Sequence, residues 1–136
     1  MVFWAVSNCE TMNHRERYAE KLQEYVDVDV YSRKECLRGS IRFDCPHENE
    51  PVHNHNNANC FTNISTQYWF YLAFENSICN DYITEKFWRS LDLEVVPIVM
   101  GGGNYTRDAP ENVICSCLIF TTDAMSICSV QFLNNS

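Results

Sequence analysis

The chain has 136 residues, a length that predicts one domain, and 46% of them are hydrophobic, which is enough to form a core. Its formal net charge of -8 argues against nucleic acid and anionic membrane surfaces as partners, so an anionic ligand would need a locally basic site. No run approaches the ~20 apolar residues of a membrane span, and residues 1–8 lack the basic start of a signal peptide.

The first part of the chain follows a strand–helix–strand pattern. The apolar run Val2–Val6 predicts a buried strand. Asn13 and Glu16 have the spacing of a capping box with Asn13 as the N-cap, so we expect a helix to follow. Its apolar face, at helical spacing, consists of Tyr18, Ala19, Leu22, Tyr25 and Val26. Val28–Tyr31 predicts the next strand, and this order favours a parallel sheet.

Residues 32–60 break this pattern and predict an irregular surface loop rich in Cys, His and Asn. Disulfides from Cys36, Cys45 and Cys60 would tie such a long loop to the rest of the chain. An alternative interpretation is a metal site formed by Cys45, His47, His53, His55 and Cys60. Their spacing matches no standard zinc pattern, and cysteines of a luminal chain usually pair with each other, so we predict no metal site.

The second half returns to alternating helices and strands. Apolar patterning predicts helices over Thr62–Tyr68 and Tyr82–Leu91 and strands over Phe70–Phe74, Val95–Met100 and Val113–Phe120. Asp81 is placed to cap the second of these helices, and Pro97 indicates a strand start or a bulge. The apolar face of that helix is Ile83, Phe87, Trp88 and Leu91. Gly101–Gly103 predicts a flexible turn, and the alternation as a whole predicts an α/β fold.

Eight cysteines accompany three N-glycosylation sequons, at Asn63, Asn104 and Asn134. Together they favour the secretory lumen over a cytosolic chain with free thiols and chance sequons. A luminal protein needs an entry signal, and none is visible, so we expect the sequence to be a piece of a longer one.

Glu75 and Asn76 directly follow the predicted strand Phe70–Phe74, at the edge where open α/β sheets bind ligands. A carboxylate accepts hydrogen bonds from sugar hydroxyls or a guanine edge, and an Asn both donates and accepts. The alternative is that both residues cap the following turn.

Tyr82, Glu85 and Lys86 fall in the first turns of the predicted helix, with Tyr82 and Lys86 on one face. Backbone N–H groups and one lysine form a diphosphate site without a metal ion. Glu85 would accept hydrogen bonds from ribose or sugar hydroxyls. The alternative for Glu85 is an ordinary surface ion pair with Arg89.

Arg15 lies in the first turn of its predicted helix, where a cation is locally unfavourable unless an anionic ligand compensates. The alternative is a solvated arginine beside Glu16 and Glu20.

The stretch YLAFENSICNDYITEK, residues 71–86, resembles the donor-binding signature of the α1,3/α1,4-fucosyltransferases, glycosyltransferase family 10, nearly residue for residue. The most specific part is Phe74–Trp88. Further similar stretches, in matching order and spacing, are Ser7–Cys9, Arg15–Tyr18, Val28–Tyr31 and Val96–Tyr105. The resemblance covers about residues 3–112.

The resemblance implies the C-terminal half of a GT-B glycosyltransferase, a Rossmann-like parallel sheet with flanking helices. Residues 1–112 would form the GDP-fucose-binding domain, and residues 113–136 a divergent or truncated tail. Family members invert the configuration at fucose as they transfer it from GDP-fucose to a glycan or glycoprotein acceptor, with no obligatory metal ion. They are Golgi type II membrane proteins, so a membrane anchor is expected in the full-length protein.

By motif position, the resemblance implies that Arg15 and Lys86 contact the diphosphate. Contacts to the nucleotide and fucose are implied for Asn76, Tyr82 and Glu85, and Ser7 and Asn8 would line the same cleft. The general base comes from the N-terminal domain of the family, so we name no catalytic residue here and expect the isolated chain to be inactive.

Cys36, Cys45, Cys60 and Cys79 resemble those of invertebrate core-type members, and Cys79-Asn80 is similar to a branch linked to protein O-fucosylation. The acceptor is left open among Lewis-type glycans, core glycans and protein. Two other functions are considered beside the transferase. One is a non-catalytic nucleotide-sugar-binding module, and the other is a disulfide-framed luminal module that uses no nucleotide.

Overall fold

The computed structural model describes residues 1–43, 59–110, 115–116 and 129–130. Its helices are α1 (Arg15–Leu22), α2 (Asn59–Ser65), α3 (Glu85–Asp92) and α4 (Tyr105–Asp108). Its strands are β1 (Val2–Val6), β2 (Val28–Ser32), β3 (Ile41–Arg42), β4 (Phe70–Phe74), β5 (Val96–Met100), β6 (Cys115–Ser116) and β7 (Ser129–Val130). They form one sheet in the order β3-β2-β1-β4-β5-β6-β7, parallel except for β7. The predicted α/β fold with a parallel sheet is confirmed.

The central strands are buried on both faces of the sheet. In β4, Leu72 and Phe74 join a core with Ala19 of α1, whereas Tyr71 and Ala73 join a second core with Phe87 of α3. Successive side chains of a strand point to opposite faces, so the two cores lie on either side of the sheet. Burial on both faces explains why these strands read as continuous apolar runs in the sequence.

The strand order reverses between β1 and β4. The chain runs outward from β1 through β2 to β3 and then returns, so that β4 lies on the other side of β1. Pairing between β1 and β4 covers Val2↔Phe70 and Phe3↔Tyr71, at their amino ends. Open α/β sheets bind ligands in the crevice at the carboxyl ends of the strands on either side of such a reversal. Residues that follow β1 and β4 are therefore placed to form a site.

The predicted capping box at the start of α1 is wrong. The N-cap is His14, in the left-handed conformation (φ 52°), and its side chain makes no capping hydrogen bond. Asn13 instead donates from Nδ2 to the carbonyl of Glu75 at 2.8 Å, and its Oδ1 accepts from the hydroxyl of Thr11. The side chain that the capping box requires is thus used in a long-range contact.

The apolar face predicted for this helix is only partly correct. Ala19 is buried, and Tyr18 and Leu22 pack against the same core. Tyr25 and Val26 lie beyond the end of α1 at Leu22 and are exposed.

The helix after β4 begins later than predicted, at Glu85 with Thr84 as N-cap. Asp81 is not the cap, since it has a left-handed backbone (φ 56°) and pairs with Arg107 at 3.0 Å. Tyr82 therefore lies before the helix and does not share a helical face with Lys86. Phe87 is buried as predicted, whereas Trp88 is exposed.

Smaller differences concern element bounds. α2 ends at Ser65, three residues before the predicted end at Tyr68, and the two-residue strand β3 lies within the predicted loop 32–60. Pro97 is the second residue of β5, before the ladder with β6 begins at Ile98, and so marks a strand start. Within the same predicted loop, Cys36 forms a disulfide with Cys9 and so ties the loop to the segment after β1. The predicted strand Val113–Phe120 contains β6, and its other residues lie outside the described ranges.

The alternative metal cluster also falls outside the described part. His47, His53, His55 and Cys45 belong to residues 44–58, and the side chain of Cys60 is likewise not described. Among the residues that the structure describes, none form a cluster able to hold a metal ion. In the same ranges, no helix has the length and apolar character needed to cross a membrane.

Candidate functional site

Seven of the eight predicted site residues gather around the carboxyl ends of β1 and β4. Ser7 and Asn8 follow β1, and both are exposed. Glu75 and Asn76 follow β4. Arg15 and Lys86 contact residues at these strand ends, and Glu85 pairs with Lys86. Tyr82, the eighth residue, lies in the loop that leads to Thr84, with its side chain partly exposed.

Arg15 bridges the two strands at the reversal point. Its Nη1 donates to the carbonyl of Phe74 at 2.5 Å, and its Nη2 donates to the carbonyl of Asn8 at 2.9 Å. The guanidinium also lies over the ring of Trp4, 5.5 Å from its centroid. The residue is 2% exposed, so the alternative of a solvated arginine beside Glu16 and Glu20 is wrong.

The charge of Arg15 is retained inside the protein. Burial lowers the pKa of its guanidinium, while the negative charges of the Glu16 and Glu75 carboxylates oppose that shift. Its Nε has no hydrogen-bond partner among the described residues. Arg15 is therefore a buried cation that contacts the carboxyl end of β4 and the residues after β1, and its Nε is unpartnered among the described residues.

Glu75 is fully buried, with 0% of its surface exposed. Its Oε1 accepts a hydrogen bond from the backbone N–H of Thr84 at 2.7 Å. Its Oε2 accepts from the hydroxyl of Thr84 at 2.7 Å and lies 3.4 Å from Nζ of Lys86. The carboxylate thus occupies the start of α3, where a negative charge interacts favourably with the helix dipole. Direct contact between Glu75 and a sugar or base stays a prediction.

Lys86 points back towards β4. Its Nζ donates to the hydroxyl of Thr84 at 2.9 Å and to Oε1 of Glu85 at 3.1 Å, in addition to its contact with Glu75. Burial alone would raise the pKa of Glu85, but the hydrogen bond and charge of Lys86 outweigh it, so that pKa lies below its usual value. Arg89, the alternative ion-pair partner considered for Glu85, has its guanidinium carbon 4.4 Å from the centroid of the Phe61 ring.

The start of α3 has the features of an anion site. The first N–H groups of a helix lack partners within the helix and carry partial positive charge. Nζ of Lys86 adds a full positive charge at that point. Arg15 is a second cation nearby, and it donates a hydrogen bond to the carbonyl of Phe74 at the end of β4. Lys86 and Arg15 are thus two cations at this edge, where the carboxylates of Glu75 and Glu85 also lie.

The glycine turn after β5 holds the loop that leads into α3, a role that the sequence did not reveal. A Cβ atom on Gly102 would lie 2.3 Å from the carbonyl oxygen of Cys79, and one on Gly103 would lie 2.2 Å from Cγ1 of Ile83. The carbonyl of Gly102 also accepts a hydrogen bond from the N–H of Asp81 at 3.1 Å. Three successive glycines after a buried strand were the available signal.

Two further buried atoms near the site have no partner among the described residues. They are Oδ1 of Asn76, an acceptor, and the hydroxyl of Tyr105. Burial and then the charge of Glu75 raise the pKa of Tyr105, so this hydroxyl stays protonated. Contact between the Asn76 amide and a bound ligand stays a prediction.

A cavity of about 370 Å³ lies at the opposite, amino edge of the sheet. Its lining comes from the segments that precede β4 and β5 and includes Gln67, Trp69, Asp92 and Glu94. None of the predicted site residues line it. The presence of a cavity therefore does not identify the site. The charged side chains beside the strand reversal, at the carboxyl edge, are the stronger indication of a ligand site.

The chain is similar to known proteins over most of its length. The sequence model of the family described as "Glycosyltransferase family 10 (fucosyltransferase) C-term" matches residues 1–135. The chain is 42% identical over 110 residues to Alpha-(1,3)-fucosyltransferase C of Drosophila melanogaster, covering 79% of this chain and 22% of that protein. It is 43% identical over 107 residues to GDP-fucose protein O-fucosyltransferase 3 of Homo sapiens, covering 78% of this chain and 21% of that protein.

A crystal structure of an alpha1,3-fucosyltransferase with GDP-fucose has the same fold. It superposes with a TM-score of 0.56 at 23% identity, over 84% of this chain and 29% of that one. The chain therefore spans about a fifth of the length of the relatives it matches. The predicted domain boundary at residue 112 and the roles of the individual site residues stay predictions.

Proposed function

Because this chain belongs to glycosyltransferase family 10, the fucosyltransferases, we propose that it supplies the GDP-fucose-binding half of an inverting fucosyltransferase. The whole protein would transfer L-fucose to a glycan or glycoprotein acceptor. The relatives are named both as an alpha-(1,3)-fucosyltransferase and as a protein O-fucosyltransferase, so we name no finer acceptor class.

The observation that carries this proposal is the position of Lys86. Its ammonium is held at the amino end of α3 by Glu75 and Thr84, beside the reversal point of the sheet. A diphosphate bound there would meet the helix amides and Lys86 together, with Arg15 below.

The remaining predicted contacts surround that position. Asn76 offers its unpartnered Oδ1 to a donor on the nucleotide or the fucose. Glu85, whose pKa lies below its usual value, would accept from ribose or sugar hydroxyls. Tyr82, Ser7 and Asn8 would line the same crevice.

Fucose transfer places negative charge on the departing GDP. Fixed positive groups aimed at that charge stabilise the transition state, and here they would be Lys86, Arg15 and the α3 amides. We therefore propose a donor site without an obligatory metal ion or cofactor. Inversion also requires a general base for the acceptor hydroxyl, and by family resemblance we assign that base to an N-terminal domain.

We also propose that the protein works on the luminal side of the Golgi membrane and is held there by an anchor in the full-length protein. Eight cysteines and the Cys9–Cys36 disulfide support an oxidising compartment. The sequon residues Asn63 and Asn104 are exposed, which suits glycosylation, and Asn134 lies outside the described residues.

Calorimetric titration of the oxidised chain with GDP and with GDP-fucose tests the donor site. We expect binding by the parent chain and a loss of at least about tenfold in affinity for Lys86→Ala, because a charge-assisted contact to phosphate is removed. Lys21→Ala is the matched control, since Lys21 is exposed and pairs with Glu24 at the far end of α1. Its affinity should equal that of the parent.

The outcomes separate the three functions. A folded parent chain that binds neither compound contradicts the donor site and favours a luminal module that uses no nucleotide. Binding to the chain, combined with no transfer by the full-length protein to any acceptor, favours a non-catalytic binding module.

A further inference from the structure

We propose that Glu75 is a positioning residue of the donor site, whose buried carboxylate fixes Thr84 and Lys86 so that the ammonium and the α3 amides face one diphosphate. This inference rests on the proposed function and deepens it. It assigns Glu75 a role through other residues in place of the direct sugar or base contact predicted from the sequence.

The first argument is burial and saturation. Glu75 is 0% exposed, and both carboxylate oxygens already accept hydrogen bonds from within the chain. A ligand in the crevice therefore has no surface of this side chain to touch. The carboxylate acts on whatever binds there only through the groups that it holds.

The second argument is that Glu75 is itself fixed at its backbone. Its N–H donates to the carbonyl of Met100 at 2.9 Å, and its carbonyl accepts from Asn13 at 2.8 Å. The residue thus connects the ends of β4 and β5 to the segment before α1. A carboxylate on such an anchored residue transmits the geometry of the sheet to the first turn of α3.

The third argument concerns Thr84, which stands between the two charged groups. Its N–H and its hydroxyl both donate to Glu75, and the same hydroxyl accepts from Lys86. Thr84 is the N-cap of α3 but makes no capping bond with its own oxygen. The carboxylate of Glu75 therefore accepts the backbone N–H of the N-cap residue, as the glutamate of a capping box does, and contacts the lysine at the same time.

Pre-positioning matters because lysine has a long, flexible stem. Ordering such a side chain costs conformational entropy, and a ligand that must order it binds more weakly. Here the ordering occurs on folding, since Glu75 and Thr84 already hold Nζ within 3.4 Å and 2.9 Å. A glutamine at position 75 would keep the volume but lose one acceptor oxygen and the negative charge.

The test compares Glu75→Gln, Lys86→Ala and their double variant, with GDP and guanosine as ligands. We expect Glu75→Gln to weaken GDP binding about tenfold, because a charged hydrogen-bonding partner of Lys86 is lost. Guanosine lacks the diphosphate, so its affinity should be unchanged. In the Lys86→Ala background, Glu75→Gln should add little further loss, because both changes act on the same lysine.

Amide hydrogen exchange gives a readout that needs no ligand. The Thr84 amide should exchange about tenfold faster in Glu75→Gln than in the parent, relative to amides later in α3, because its acceptor is weakened. If Glu75→Gln does not fold, Thr84→Val removes the intervening hydroxyl and should weaken GDP binding in the same Lys86-dependent way.

The results are separable from those of the proposed function. A parent chain that fails to bind GDP contradicts the donor site itself. A parent that binds GDP, together with a folded Glu75→Gln variant of equal GDP affinity, overturns the positioning role. Equal loss of GDP and guanosine affinity, or full additivity with Lys86→Ala, would mean a purely structural residue and also overturns it.

Discussion

Replacing Arg15 with leucine tests whether a buried guanidinium holds the two strand ends of the site together. Arg15 makes hydrogen bonds to the carbonyls of Phe74 and Asn8, on opposite sides of the strand reversal. Leucine fills similar space and has a similar helix propensity. The substitution therefore removes the bridge while leaving α1 intact.

The magnitude follows from the contacts that are lost. Two hydrogen bonds from a charged donor are worth roughly 1.5–3 kcal/mol each, which gives about 3–6 kcal/mol. The desolvation of a buried cation and the unpartnered Nε oppose this gain. We expect a net loss of about 2–4 kcal/mol in the free energy of unfolding.

Urea unfolding of the oxidised chain measures this loss. Arg17→Leu is the matched control, because Arg17 lies on the same helix and is exposed. It should change the free energy of unfolding by no more than about 0.5 kcal/mol. If Arg15→Leu and Arg17→Leu are equally stable, the bridge does not contribute and the reasoning is refuted.

Three further predictions follow from the structure. Gly102→Ala should cost about 1–3 kcal/mol of stability, because its Cβ would overlap the Cys79 carbonyl; an unchanged thermal midpoint and an unchanged GDP affinity would contradict this. The Glu85 pKa is lowered below 4.5 in the folded chain, so its contribution to stability is complete above that pH and disappears as the pH falls through the lower value. Lys86→Ala should raise the Glu85 pKa in an NMR titration, and an identical midpoint would show that Lys86 is not the cause. Replacing both Cys9 and Cys36 with serine opens a disulfide that spans 27 residues and should cost about 3–4 kcal/mol by loop entropy, and a loss below about 1 kcal/mol would contradict that role.

Strands β1 and β4 were predicted with their observed bounds because local patterning decides them. Each is an apolar run that ends in polar residues, and burial on both faces requires no alternation. The start of α3 was missed because it depends on a contact across nine residues, from Glu75 to Thr84. The cap of α1 was missed because Asn13 bonds to a carbonyl 62 residues away.

The site residues were likewise predicted where local patterning decides their position, and their contacts were missed where these depend on distant residues. The sequence placed Glu75 and Asn76 at the end of a strand, and the structure puts them at the reversal point of the sheet. Nothing local to Arg15 reveals that it is buried, because its acceptors at Asn8 and Phe74 belong to other elements. The glycines were treated as a generic turn because their close neighbours, Cys79 and Ile83, come from a different loop.

The most direct test of the donor site is a GDP titration followed by amide resonances of the labelled, oxidised chain. The structure predicts shifts at the ends of β1 and β4 and at Thr84–Lys86, with none in the cavity around Trp69 at the opposite edge. Shifts confined to that opposite edge, or no shifts from a folded chain, would contradict a GDP-fucose site at the start of α3.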